Sequence, residues 1–229
     1  MASLNFPDLP PFGDVKLFRN VPSSDIQLIL SDARTRSFSR GSVITHQGEP
    51  SEHFYLLCKG RARYFYETPK GKKLILRWFV PGHAFGLATL LSDHTSYLVS
   101  TETVQESVAL VWSGLGIQNL ARRFPRLLEN ALMIATDYMA WYITAHASLG
   151  SHMARERLAY LLIELAETAA HKSAREIEVN VTNEELASAA NITPYTASRM
   201  IGGWQRVGAI RKRRGKIVVC STKLLLSKL

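Results

Sequence analysis

Five cationic side chains occupy six consecutive positions near the end of the chain: Arg211, Lys212, Arg213, Arg214 and Lys216. Guanidinium and ammonium groups at this density can neutralise the phosphates of a nucleic acid. The block is neither a disordered tail nor a helix face, because it contains Gly215 and ends in the apolar run 217–219. We therefore expect a β-hairpin over 210–219 that turns at Arg214-Gly215 and carries the cations at its tip.

The sequence immediately upstream predicts two short helices joined by a tight turn. Thr182 and Glu185 have the spacing of a capping box, which satisfies free N–H groups at the start of a helix. Asn191 tolerates the left-handed conformation that a sharp turn requires. Thr193 and Pro194 supply an N-cap and a first-turn proline for the second helix. This arrangement is a helix-turn-helix, whose second helix fits the major groove of DNA.

Helical spacing divides the second helix into two faces. The inward face is apolar and consists of Ala197, Met200 or Ile201, Trp204 and Val207. The outward face consists of Tyr195, Arg199, Gly202 and Arg206. Because a cationic hairpin follows this helix directly, we expect the wing of a winged helix-turn-helix, with its cations on phosphates. A solvated hairpin on any small domain is the alternative.

The positive charge is concentrated in the last third of the chain. The formal net charge is +9 over 229 residues, and residues 150–229 hold 13 Lys or Arg against 7 Asp or Glu. A basic domain beside a nearly neutral one suggests a polyanionic partner for the basic end.

The cysteine content and the hydropathy of the sequence indicate where in the cell the protein is located. Cys58 and Cys220 are far apart and show no CxxC spacing, which excludes a disulfide framework or a cysteine-rich metal site within one chain. The N-terminal segment does not have the pattern of a signal peptide, and no apolar run has the length of a membrane span. We expect a cytoplasmic protein without membrane contact.

Short strands alternate with glycines between residues 37 and 112. The runs SVITHQG, HFYLLCKG, RARYFYET, KKLILRWF and SVALVW are rich in β-branched and aromatic residues. Glycines at 41, 48, 60, 71 and 82 separate them at intervals of about ten residues. This spacing indicates an antiparallel barrel or double-sheet jelly roll. Together with the C-terminal helices it predicts an α+β fold.

A long helix is predicted over 125–149. Mostly apolar side chains recur there at alternating steps of four and three residues: Leu128, Leu132, Ala135, Met139, Tyr142, His146 and Leu149. Such spacing favours pairing with a second helix, and packing on the chain's own β domain is the alternative. The segment GSHM at 150–153 would end the helix and act as a hinge. We expect a β-roll over 1–120, a dimerisation helix over 121–149 and a winged helix-turn-helix over 154–229.

The order of these elements resembles the CRP/FNR family of bacterial transcription regulators, in which a cyclic-nucleotide-binding-like β-roll precedes a winged helix-turn-helix. ITHQGEPSEHFYLLCKGRARYFYETPKGKKLILRWFVPG resembles the first half of that β-roll, and VTNEELASAANITPYTASRMI matches the family's DNA-reading motif. The resemblance covers about residues 15–222. It implies a homodimer through the 125–149 helix, a roughly two-fold symmetric operator in double-stranded DNA, and RNA polymerase as a further candidate partner.

The resemblance also implies roles along the DNA-reading motif. Thr193 falls where the family commonly places a Ser or Thr on a phosphate, and Ser198-Arg199 matches a pair whose arginine reads a guanine edge. Tyr195 departs from the pattern, because many members carry a glutamate there and a tyrosine cannot accept from a cytosine amino group as a carboxylate does. The candidate DNA-contacting residues are Thr193, Tyr195, Thr196, Ser198, Arg199 and Arg206 on the helix, and Arg211, Lys212, Arg213, Arg214 and Lys216 on the hairpin.

The cassette PGHAFGLATLLSDHTSYLVSTETV departs from the family's cyclic-nucleotide site. Leu87 stands where the ribose-binding glutamate is expected, and Thr95 or Ser96 where the phosphate-binding arginine is expected. Burying a phosphate without a cation is costly, so we do not expect cyclic AMP to bind in the family manner. The cysteine cluster of the iron–sulfur members is missing, and the seven histidines lack metal-ligand spacing. We therefore expect no metal and no cofactor.

The cassette could instead hold a small apolar or aromatic effector. The candidate lining is Leu87, Leu90, Thr95, Ser96 and Tyr97, with Tyr138 and Tyr142 on the adjoining helix. The alternative is that these side chains only fill the roll and that the regulator has no ligand.

Two other classes of function remain as alternatives. A cupin-like metalloenzyme with a basic accessory domain would need convergent His and carboxylate ligands, and the HxH…E arrangement is missing from the sequence. A nucleic-acid binder without sequence preference would bind all duplexes with equal, salt-sensitive affinity. The sequence contains no nucleophile elbow, P-loop or HExxH motif, so we do not expect an enzyme.

Overall fold

The computed structural model describes residues 10–91, 95–151, 153–169, 177–179, 181–213 and 216–226. The chain forms two compact units. The first comprises residues 1–72 and 76–141, and the second comprises residues 73–75 and 142–229.

Eight strands, which lie in the first unit apart from residues 73–75, form two four-stranded sheets. The strands are β1 (Arg34–Phe38), β2 (Val43–Thr45), β3 (His53–Lys59), β4 (Ala62–Glu67), β5 (Lys73–Phe79), β6 (Ala84–Phe85), β7 (Ser100–Thr103) and β8 (Ser107–Ser113). The sheet orders are β1-β8-β3-β6 and β2-β7-β4-β5. β3 pairs antiparallel with β8 and β6, and β7 pairs antiparallel with β2 and β4. The predicted antiparallel double-sheet roll is confirmed.

Strand β3 is buried on both faces and therefore joins two apolar clusters. Side chains alternate across a strand, so Phe54 and Leu56 enter one cluster while Tyr55 and Leu57 enter the other. The first cluster also receives Trp112, whose indole Nε1 donates to the carbonyl oxygen of Ile29 at 2.9 Å. This bond ties β8 to α1 (Ser23–Ser31).

Two helices follow the roll, α2 (Gly114–Arg123) and α3 (Pro125–Ser151). One stripe of α3 packs on the roll and consists of Leu127, Ala131, Ile134 and Tyr138. The predicted pairing positions lie one residue further along and form a second stripe. In that stripe Leu128, Leu132, Met139 and Leu149 are exposed, Leu132 by 59% and Met139 by 60%. Packing on its own domain therefore leaves these apolar positions of α3 uncovered.

Among its described residues, the second unit contains the end of α3, four further helices and a three-stranded sheet. Its further elements are α4 (Ala154–Ala169), β9 (Ile177–Val179), α5 (Asn183–Ala189), α6 (Pro194–Arg206), β10 (Ile210–Arg213), β11 (Lys216–Val219) and α7 (Thr222–Leu226). The sheet order is β10-β11-β9, and both pairings are antiparallel.

Helix α3 continues through Gly150 and Ser151, two residues beyond the predicted end. A new helix then begins at Ala154, where the Glu156 carboxylate accepts from the backbone N–H of Met153 at 2.6 Å. A carboxylate at this position satisfies a free N–H and suits the positive end of the helix dipole. Within the described residues, no helix has the length and hydropathy needed to cross a membrane.

Candidate nucleic-acid interface and effector residues

The turn between α5 and α6 has the geometry that the sequence predicted. The Thr182 hydroxyl accepts from the N–H of Glu185 at 3.2 Å, and the Glu185 carboxylate accepts from the N–H of Thr182 at 2.8 Å. Asn191 has a φ of 51°, in the left-handed region. Thr193 caps α6, because its hydroxyl accepts from the N–H of Thr196 at 3.1 Å. The helix-turn-helix is confirmed.

Helix α4 supports this turn from behind. The Arg157 guanidinium donates from Nε to the carbonyl oxygen of Ala190 at 3.0 Å, at the C-terminal end of α5. A cation is favourable there, where helix carbonyls lack partners. Arg155, also on α4, places its guanidinium 5.4 Å from the ring centre of Trp204, which is fully buried.

The two faces of α6 are as predicted apart from its last turn. Ala197, Ile201 and Trp204 are buried, which resolves the choice between Met200 and Ile201. Val207 was expected inside but is 42% exposed, because it caps the helix beyond its last turn.

The candidate DNA-contacting residues on α6 lie on one accessible surface. Tyr195 is 76% exposed. The other exposed members are Thr193, Ser198, Arg199 and Arg206. Thr196 is half-buried, and its hydroxyl lies 2.9 Å from that of Thr193. Tyr195 and Arg199 are therefore available to a base edge without rearrangement of the helix.

The cationic hairpin has the predicted strands. Arg213 lies opposite Lys216 in the register of β10 and β11, while Arg214 and Gly215 lie outside the described residues. The apolar run 217–219 is buried, whereas Arg211, Lys212, Arg213 and Lys216 are exposed. Three of these cations line a groove of about 210 Å³ beside the start of α5.

Glu178 on β9 was missed from the sequence. Its carboxylate accepts from Arg213 Nη1 at 2.7 Å and from Lys216 Nζ at 3.0 Å. The hydrogen bond and charge of Lys216, followed by those of Arg213, hold the pKa of Glu178 below its ordinary value. Two cations assigned to phosphates thus already have an internal partner. The contact depends on the pairing of Glu178 with Val218, a register that no local sequence signal reveals.

Two of the candidate effector residues, Leu87 and Leu90, begin and end a short 3-10 helix. Gly86 precedes it with a φ of 77°, and a Cβ there would lie 2.6 Å from the carbonyl oxygen of His53. Only glycine fits this close, left-handed approach. Leu87 and Leu90 pack against the apolar core.

The polar members of the candidate lining are largely bonded to the protein itself. The Thr95 hydroxyl donates to the carbonyl oxygen of Ala88 at 3.0 Å, and that of Tyr97 donates to the carbonyl oxygen of His53 at 3.0 Å. The Tyr138 hydroxyl donates to the carbonyl oxygen of Ala84 at 2.7 Å. Ser96 is exposed and Tyr142 is half-buried. These bonds favour a filling role for Thr95, Tyr97 and Tyr138.

Metal-ligating groups do not converge in the part of the chain that the structure describes. No group of three His, Cys, Asp or Glu side chains with metal-binding geometry occurs among those residues. Burial raises the pKa of the Cys58 thiol to about 11, so the thiol is protonated at neutral pH.

Both units match known protein families. Residues 35–124 match the cyclic nucleotide-binding domain, and residues 156–227 match the Crp-like helix-turn-helix domain. The transcriptional regulator SdrP of Thermus thermophilus is 28% identical over 193 residues, which cover 82% of this chain and 91% of SdrP. The cyclic AMP receptor protein of the same organism is 25% identical over 209 residues, with 91% and 94% covered.

A solved structure shows the same fold. FixK2 from Bradyrhizobium japonicum superposes with a TM-score of 0.76 at 19% identity, covering 85% of this chain and 96% of FixK2. A roll of the cyclic nucleotide-binding type with a Crp-like helix-turn-helix defines a class of DNA-binding transcription regulators. The chain belongs to the CRP/FNR family of that class.

Proposed function

We propose that the chain is a sequence-specific transcription regulator that places α6 in the major groove and the β10–β11 hairpin on the phosphate backbone. The observation that carries this proposal is the division of α6. Ala197, Ile201 and Trp204 hold the helix on its own unit, which leaves Tyr195 and Arg199 exposed at its N-terminal half. A recognition helix contacts base edges from this half.

The regulator acts as a homodimer through the exposed stripe of α3. Leu128, Leu132 and Met139 are exposed at heptad spacing, and water contact with such side chains is unfavourable by about 25 cal/mol per Å² of apolar surface. A two-fold pair of α3 helices presents two copies of α6. The operator is then a near-palindrome whose half-sites lie one helical turn, about 34 Å, apart.

Cyclic AMP is not bound in the manner expected of the family. Leu87 offers no carboxylate for the ribose. Thr95 is uncharged, and its hydroxyl already donates to the carbonyl oxygen of Ala88, so it cannot replace an arginine at the phosphate. A relative at 25% identity is named a cyclic AMP receptor protein, so the direct control is titration with cyclic AMP by calorimetry. No heat of binding is expected.

Regulation follows from a change in the direction of α4, which begins at Ala154 after the non-helical residue Met153. A ligand bound in the roll, or a change in α3 pairing, shifts the population of dimers whose α6 helices match the half-site spacing. The protein acts on DNA in the cytoplasm, and RNA polymerase is its candidate partner at a promoter.

In-vitro selection from random duplex DNA tests the proposal. The purified full-length chain is used without additives at about 0.15 M salt, because affinities for DNA depend steeply on salt. A palindrome with half-sites about 10 bp apart is expected. The Arg199→Ala variant, selected in parallel, should relax the preference at one base pair of each half-site. Binding that depends on salt but enriches no sequence, with or without a cell extract as an effector source, would contradict sequence-specific regulation.

A further inference from the structure

Two of the three guanidinium nitrogens of Arg77, on β5, are buried and have no hydrogen-bond partner among the residues that the structure describes. Its Nε and Nη1 atoms are shielded from solvent and have no acceptor. The guanidinium lies 4.8 Å from the ring centre of Tyr138 and 5.3 Å from that of Trp141, both on α3. Aromatic faces stabilise the positive charge but leave strong N–H donors unused, and unused buried donors are unfavourable.

Another enclosed arginine of the roll shows that such a group can be paired internally. Arg63 on β4 donates from Nε to a carboxylate oxygen of Glu102 on β7 at 2.8 Å. Both side chains are largely buried. Arg77 has aromatic neighbours but no such carboxylate. The cation of an ion pair is therefore present without its anion.

His83 lies in the same cluster and is also incompletely bonded. Its ring centre is 6.0 Å from that of Phe79, and its Nδ1 is buried without a hydrogen-bond partner. Burial, followed by the charges of Arg77 and Lys16, lowers the pKa of His83 to about 4. Lys16 is itself paired with Asp137 at 2.7 Å. The neutral imidazole therefore adds no competing charge and responds to the charge on Arg77.

We propose that Arg77 binds the carboxylate of a small organic anion, with the aromatic side chains of Phe79, Tyr138 and Trp141 around its site. A planar guanidinium matches a carboxylate with two parallel hydrogen bonds. A single unpaired cation neutralises one negative charge, whereas a dianion would leave one charge uncompensated in an enclosed environment. The aromatic surroundings fit an apolar or aromatic body on the ligand.

The position of Arg77 connects such a ligand to the helix with the exposed apolar stripe. The guanidinium contacts two rings of α3, so an anion that draws Arg77 towards itself changes contacts on that helix. The role of the anion as an effector rests on the proposed function. Its binding does not, because binding is measured without DNA.

Histidine ring resonances of the full-length protein, recorded by NMR at pH 7 and constant ionic strength, test the proposal. The probes are acetate, benzoate, the uncharged benzamide, and inorganic phosphate. Acetate and benzoate should both give a saturable shift of the His83 resonance, benzoate at lower concentration. Benzamide should bind at least about tenfold more weakly than benzoate, because it has no charge for Arg77.

Variants assign the site. Arg77→Gln should weaken benzoate binding at least about tenfold, whereas Arg34→Gln removes an exposed arginine from β1 and should change nothing. Arg77→Lys keeps the charge without the planar guanidinium and should give an intermediate affinity. If the Arg77→Gln variant does not unfold cooperatively and is therefore not properly folded, the Arg77→Lys variant is used in its place.

Several outcomes would overturn the inference. They are the absence of a saturable shift with either carboxylate, equal binding of benzoate and benzamide, unchanged benzoate affinity in both Arg77 variants, and tighter binding of phosphate than of benzoate. None of these outcomes affects the operator selection. Failure of the anion site is therefore distinguishable from failure of the regulator assignment.

Discussion

Most candidate DNA-contacting side chains of α6 face solvent, whereas the hydroxyls of Thr95, Tyr97 and Tyr138 at the β-roll are already hydrogen-bonded within the protein. Tyr195 is 76% exposed, while the hydroxyls of Tyr97 and Tyr138 bond to the roll's own carbonyl oxygens. The exposed face of α6 could therefore bind DNA without a change in its side-chain hydrogen bonds. A ligand in the roll must either displace internal hydrogen bonds or use a group without one, and Arg77 is such a group.

The largest expected effect concerns the exposed stripe of α3. Leu132→Glu places a charge in an apolar helix pair, which is unfavourable by several kcal/mol when the charge is desolvated. We expect a monomer by sedimentation and a loss of operator affinity of about 100-fold or more. The variant should still unfold cooperatively, because Leu132 does not belong to the apolar core of the roll.

The matched control is Leu115→Glu, at a leucine of α2 that is 77% exposed. It should leave both assembly and affinity unchanged. A Leu132→Glu protein that still sediments as a dimer would place the dimer interface elsewhere.

The next effect sharpens the assignment of the exposed face of α6. Arg199→Ala should weaken binding to the selected operator by about 1–3 kcal/mol and relax specificity at one base pair. Gln205→Ala, at another exposed position of α6, should have little effect on either. Fluorescence titration with operators changed at single base pairs measures both quantities. An unchanged base preference in Arg199→Ala would remove this residue from the reading surface.

The third prediction concerns the free energy of unfolding, which should depend on pH because the imidazole Nδ1 of His83 is buried in the roll. The pKa of His83 is lowered from 6.5 to about 4 in the folded chain. The unfolded chain therefore binds a proton first, and stability present above pH 6.5 is lost as pH falls towards 4. For this group the free energy of unfolding should decrease by about 2 kcal/mol between pH 7.5 and pH 5.

Urea unfolding at the two pH values measures this decrease. His83→Gln should remove most of it, and His46→Gln, at an exposed histidine, should not. An equal pH dependence in the wild type and both variants would mean that the His83 ring is accessible to protons in the folded chain.

The smallest effect concerns the partly neutralised hairpin. Glu178→Gln releases Arg213 and Lys216 from their carboxylate partner, so affinity for every duplex should rise about threefold and depend more steeply on salt. Lys212→Ala should do the opposite, again for all sequences alike. Glu67→Gln on the roll is the control for net charge. A sequence-dependent change in either hairpin variant would contradict a phosphate-binding role.

The same contrast explains what the sequence could predict. The helix-turn-helix follows from local signals, because Thr182 with Glu185, Asn191 and Thr193 each act within a few residues of their own position. The glycine spacing likewise predicted the double-sheet roll. Such features can be predicted from the sequence without knowing which distant residues are in contact.

The missed features depend on residues far apart in the chain. Glu178 meets its two cations only through strand register, and Arg77 meets Tyr138 and Trp141 only because α3 packs on β5. Helical spacing predicted an apolar stripe on α3, which is exposed, but not that the neighbouring stripe would pack on the roll. Contacts between polar side chains that are far apart in the chain are therefore the features that the sequence predicts least well.

In the proposed dimer, the bond from Arg157 to the end of α5 would make base preference and operator spacing separable traits. Because Arg157 of α4 is bonded to the turn before α6, we expect the exposed face of α6 to move together with α4. Substitutions at Tyr195 or Arg199 alter which bases are preferred. Any change that redirects α4 alters the separation of the half-sites and leaves that preference intact. Relatives with the same α6 residues can therefore diverge in spacing alone.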